Sequence, residues 1–193
     1  MGTLGGMSQS GAPFPGPLPQ GPAEDRGFFR SPQRVAVLSF LAPVGYELWW
    51  LWQLFAFTRR AQFPRARAFW WLLIPFYNFY VIYQQLDDLK KAGEGLNVLA
   101  RFNAVGATWL LIVATIITNT SNRVSGVGSL ALFAIGGVLV AVALFQVQQA
   151  ANRYQAVRYP GRQPQGMTVG EWIATAIGIV FLLLVVLGSF LPA

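Results

Sequence analysis

Five stretches of the chain are almost continuously apolar, and the polar residues collect between them: 35–57, 69–83, 104–118, 127–147 and 172–191. A helix needs about 20 apolar residues to cross the hydrocarbon core of a bilayer. The fourth and fifth stretches satisfy that length, and the third does so with Asn103 and Asn119 at the two interfaces. The first is long enough but interrupted: LSFLAPVGYELWWLW, residues 38–52, carries Pro43, Gly45 and Glu47 near its middle. The second is short and holds Pro75 near its centre. None of the runs alternates polar and apolar residues as a barrel strand does. The pattern predicts an all-α, polytopic integral membrane helix bundle with about five hydrophobic helices, occupying residues 35–193.

Residues 1–34 are rich in Gly and Pro and contain no apolar run. Such a segment buries too little surface to offset its chain entropy, so it is expected to be a disordered cytoplasmic tail. The last loop ends in TVGEW, where Thr168 and Glu171 have capping-box spacing and mark the start of the final helix. That capping role is the first expectation for Glu171. Asp87, Asp88, Lys90 and Lys91 stand at i,i+3 and i,i+4 spacing, so the second helix is expected to run on into water.

The first two stretches read as variants of one unit. At an offset of 32 positions, Pro43 falls on Pro75, Gln53-Leu54 on Gln85-Leu86 and Arg59 on Lys91. Orientation depends on how these units lie. With five crossings, nine Lys and Arg share one side, and Arg59, Arg60, Arg65, Arg67 and Arg123 lie on the other. If both units instead dip in and return at their prolines, the split becomes thirteen to one. Five crossing helices are the first expectation and re-entrant units the second. Both put the N-terminus in the cytoplasm and the C-terminus outside a plasma membrane, by the positive-inside rule.

Composition narrows the function. The chain has 193 residues, 54% hydrophobic and 11% charged, too apolar for an ordinary soluble domain. Its net charge of +7 sits in loops beside apolar segments, which points to membrane orientation and away from nucleic acid. There is no Cys and no His, hence no thiol chemistry and no imidazole acid, base or metal ligand. No nucleophile–base pair, metal cluster or phosphate loop can be assembled. The chain is expected not to be an enzyme and to use no metal or cofactor.

Glu47 is the leading polar candidate, since a carboxylate inside an apolar segment is costly. With Pro43, Pro75, Asn78 and Asn103 it makes up a possible intramembrane polar site around two helix breaks. Arg59, Arg60, Arg65 and Arg67 are candidate contacts for anionic lipid head groups. Trp49, Trp50, Trp52, Trp70 and Trp71 are expected in an interface belt. Gly137/Ala141 and Ala174/Gly178 have the four-residue spacing that lets helices approach closely.

Leu38, Ser39, Tyr46 and Trp50, with the following LLIPFYNFYVIYQQL, carry a family likeness. Over roughly residues 35–92 the chain resembles the bacterial and archaeal membrane family called domain of unknown function 4234. Ala42 and Val44 replace that family's Thr and Gly, and Trp49 and Trp52 its flanking tyrosines. The resemblance implies a small prokaryotic multi-helix membrane domain with no catalytic residues. The expected role is non-enzymatic, an interaction or scaffolding part of the cell envelope. The alternative is a small transporter or channel component using the breaks at Pro43 and Pro75, its small-molecule substrate unspecified. Expected partners are membrane lipids and other membrane proteins, not nucleic acid.

Overall fold

The computed structural model describes residues 28–124, 126–161 and 163–188. Most of the expected disordered tail therefore lies outside the described residues, but its last seven positions are part of the fold. Phe28 and Arg30 are buried. Ser31 caps helix α1, Pro32–Leu41, by accepting from the Arg34 amide, and Pro32 occupies a first-turn position where its missing N–H is harmless. The chain continues through α2 (Gly45–Arg60), a 3₁₀ turn (Phe69–Leu73), α3 (Tyr77–Glu94), α4 (Ala104–Ser121), α5 (Val127–Arg158) and α6 (Val169–Gly188). The described residues are helical with no strand, as the pattern predicts.

Five crossing helices are not found. Among the described residues only α4, α5 and α6 are long and apolar enough to cross a membrane. The physical reason lies at the prolines. Pro43 has no N–H to donate, and its ring keeps Ala42 out of helical geometry (φ −130°, ψ 57°). The ten residues of α1 therefore rise about 15 Å, half of a hydrocarbon core about 30 Å thick. Pro75 acts likewise on Ile74, which is extended at φ −85°, ψ 115°.

Each broken segment folds back on itself. Phe28, ahead of α1, stacks on Phe57 near the end of α2 at 5.2 Å, with Trp50 at 5.5 Å. Ahead of the 3₁₀ turn, the Arg65 amide donates to Asp88 (2.9 Å), and Gln85 returns a bond to the Arg65 carbonyl (2.8 Å). Both units are thus hairpins, closed at the mouth by side chains and turned at the tip by proline. The tips share one hydrogen-bond pattern. Gly45 donates to the Pro43 carbonyl and Tyr77 to that of Pro75, each at 2.7 Å. Tyr46 donates to Ala42 and Asn78 to Ile74, each at 3.1 Å. The repeat suggested by sparse identities is a repeat of backbone structure.

Helices α5 and α6 hold the first hairpin, and α4 packs on α5 and on α3 of the second. Helix α1 runs antiparallel to α5, with the Phe28 carbonyl against Gln148 and the Phe40 ring against Gly137. Helix α6 crosses the first tip, where a Cβ on Gly45 would strike the Ala174 carbonyl and one on Gly178 the Ala42 backbone. The Ala174/Gly178 spacing is therefore a close-packing stripe. Gly136 does the same on the other face of α5, against Thr118 and Ala114 of α4. Phe28, Phe57, Phe63 and Tyr154 form an aromatic cluster under the first mouth.

Candidate functional site: a buried ion cluster at the first mouth

Glu171 lies in the first turn of α6 and is wholly buried. Thr168 accepts from its amide at 3.2 Å, the half of the expected capping box that starts the helix. The carboxylate itself turns inward. Arg34 Nε stands 3.3 Å from Oε1 and Arg30 Nε 3.6 Å from Oε2, while the Tyr46 hydroxyl donates to Oε1 at 3.3 Å. The Arg30 guanidinium also lies 4.6 Å over the Trp49 ring. Burial pulls the Arg30 pKa below its ordinary value, and the Glu171 charge opposes that pull. The α6 N-terminus, with its positive dipole end, is a favourable place for the carboxylate.

A second chain of bonds fixes the same segment. Trp50 Nε1 donates to Gln148 Oε1 (2.8 Å), and Gln148 Nε2 donates to the Phe28 carbonyl (2.7 Å) and to Asn152 Oδ1 (2.8 Å). Asn152 in turn donates to the Arg30 carbonyl. Arg34 reaches the Gln165 carbonyl at 2.7 Å, and the Gln165 amide bonds the Phe29 carbonyl at 2.9 Å. The segment 28–34 is thereby tied to α2, α5 and the entrance of α6. Buried charges held this way act as a latch: intact they specify one arrangement, and losing one partner strands the other.

The sequence candidates fall elsewhere. Pro43 and Pro75 sit at the two tips. Glu47 is half-buried one turn into α2, its carboxylate turned back toward the Val44 backbone amide, a helix-start role. Asn78 accepts from the Phe79 amide (2.8 Å) and Asn103 from the Gly106 amide (2.9 Å). Each of these polar groups serves the start of its own helix, and they do not gather into one site. Among the described residues no group of three or more His, Cys, Asp or Glu is placed to hold a metal ion.

The arginines of the first loop also divide. Arg59, Arg60 and Arg67 are exposed, with Arg67 6.0 Å over Trp71. Arg65, expected as a head-group contact, instead forks onto Asp88 (2.8 Å from Nε) and Asp87 (2.6 Å from Nη2). Lys91 joins Asp87 at 2.8 Å. These hydrogen bonds hold the Arg65 pKa above its ordinary value. Desolvation pushes the Asp87 pKa upward, but hydrogen bonds from Lys91 and Arg65 outweigh it and leave the group below its ordinary value. The expected partnership of Asp88 with a helical lysine is replaced by this cross-hairpin fork.

Sequence reasoning passed over Arg30 and Arg34, which lay in the segment expected to be disordered. The available signal was their i,i+4 spacing just after Phe28-Phe29, with Ser31-Pro32 between them as a helix start. No family model, curated protein or solved structure matches the chain.

Proposed function

We propose that this chain is a non-enzymatic integral membrane protein with an interaction or scaffolding role in the cell envelope. In this reading three helices cross the membrane and two hairpins enter one leaflet and return. The three long apolar helices support the membrane assignment. The hairpin mouths, the end of α5 and the start of α6 share one end of the bundle. Of the fourteen Lys and Arg, only Arg123 lies in the α4–α5 connection at the other end. By the positive-inside rule the mouth end faces the cytoplasm of a plasma membrane, with the N-terminus inside and the C-terminus outside. The resemblance to the domain of unknown function 4234 family fits a domain of this kind.

One observation favours interaction over transport: the two hairpins are alike, yet only the first has a helix packed on its tip. Helix α6 covers Ala42 fully, while Leu41 and Val44 beside it stay 46% and 43% exposed. The second tip presents Trp70, Leu73 and Phe76 at 72%, 70% and 88% exposure. It is the surface through which we assign contact with another membrane protein. A transporter reading would need Glu47, Asn78 and Asn103 to face one path, and each is engaged with its own helix.

Photo-crosslinking in native membranes tests this reading. A photoreactive residue at Leu73 should give a protein adduct of defined mass, and the same probe at Leu184 on the outer face of α6 should not. Lipid adducts alone at Leu73 would sink the interaction role. Solute flux in reconstituted vesicles that is lost in Glu47→Gln would favour transport instead.

A further inference from the structure

Helices α1 and α5 leave an open apolar groove between them, about 600 Å³ in volume. Val37, Phe40 and Leu41 form one wall, and Val138, Val142 and Phe145 form the other. The antiparallel register orders the groove from end to end. Its deep end is at Phe40 and Gly137, where α1 stops at half the membrane thickness. Its outer end is at Gln146, the one polar residue of the lining.

Beyond Gln146 the same face of α5 carries Gln149 and then Arg153, at i+3 and i+7, and on α1 the groove wall continues from Val37 back to Gln33 at i−4. Gln33, Gln146 and Arg153 are exposed. Arg153 has no ion-pair partner among the described residues. From Val138 to Gln146 the helix rises about 12 Å, close to the depth of one leaflet. An apolar trough one leaflet deep, ending in amide groups and an uncompensated cation, matches a lipid in shape and in charge.

We propose that this groove holds an acyl chain of an anionic lipid from the cytoplasmic leaflet, its head group bound by Arg153 with Gln33 and Gln146. A second copy of the chain would bring another basic mouth end against Arg153, which like-charge repulsion opposes. The proposal rests on the membrane reading above, but its test does not depend on orientation or on a protein partner.

The full chain is purified in mild detergent with equimolar phosphatidylglycerol and phosphatidylcholine, and retained lipids are counted by native mass spectrometry. Phosphatidylglycerol should be retained at least about threefold over phosphatidylcholine, a difference well within the reach of one charge-assisted contact. Arg153→Gln should abolish that preference, and Ala141→Trp, which fills the groove, should lower retention of both lipids. Equal retention of the two lipids, or a preference unchanged in Arg153→Gln, overturns the proposal. A dimer that Ala141→Trp converts to monomer also overturns it, by making a second copy the occupant. If Ala141→Trp fails to fold, Arg153→Gln, on the exposed rim, decides alone.

Discussion

Val44 and Phe76, thirty-two positions apart, hold nearly the same backbone: φ 65°, ψ −62° and φ 62°, ψ −37°. Each follows a proline and stands at the centre of a three-residue turn closed by a 2.7 Å bond, the γ-turn of the rarer, positive-φ hand. Left-handed φ crowds the Cβ of any residue but glycine, so both positions carry strain. The turn reverses the chain within one residue, so each short segment returns toward the end of the bundle it came from.

Glycine relieves that strain. Phe76 is 88% exposed, so its ring contributes little packing. Phe76→Gly should raise stability in detergent by up to about 1 kcal/mol, the left-handed penalty less the added chain entropy of glycine. Phe76→Ala keeps the Cβ and should show no gain. Thermal melting of both variants checks the difference; equal melting points would mean that the turn is not strained.

Breaking the latch should cost far more. Glu171→Gln leaves buried Arg30 without its counter-charge, and stability should fall by about 3 kcal/mol or more. Arg30→Met combined with Glu171→Met should recover much of that loss, because the fully buried charge is gone and the remaining cation, Arg34, is 23% exposed and bonded to the Gln165 carbonyl. Denaturation of Arg30→Met, Glu171→Met and the double variant in one detergent gives the coupling energy directly.

Acid should loosen the second mouth. The folded-state pKa of Asp87 lies below its ordinary value of 3.8, so its pairing with Lys91 and Arg65 stabilises the fold above that value. The contribution is lost as pH falls through the lower, folded-state pKa. Melting temperature should therefore drop as pH is lowered below 3.8, and Asp87→Asn should flatten this part of the profile. A variant profile parallel to that of the parent would assign the acid sensitivity elsewhere.

The two topologies are separable because the chain has no native Cys. Pro64→Cys lies in the loop between the hairpins and Asn122→Cys in the α4–α5 connection; both positions are exposed. An impermeant maleimide added to intact cells should label Asn122→Cys and leave Pro64→Cys unmodified until the cells are opened. Labelling of Pro64→Cys from outside would restore five crossing helices.

Helix type and approximate position could be read from the chain alone. Apolar content dictates burial in lipid, and backbone groups there are satisfied within helices; the stretches 104–118, 127–147 and 172–191 thus foretold α4, α5 and α6. The prolines also announced both breaks, and their offset announced the repeat. Whether a break yields a kinked crossing or a returning hairpin depends on backbone signs that hydropathy does not carry. Val44 and Phe76 are residues that rarely adopt positive φ, so local propensity argued against the turns that formed. Contacts distant in sequence decided the rest. Arg30 and Glu171 look like a tail residue and a helix cap until folding brings them within 3.6 Å, where exclusion of water makes each require the other.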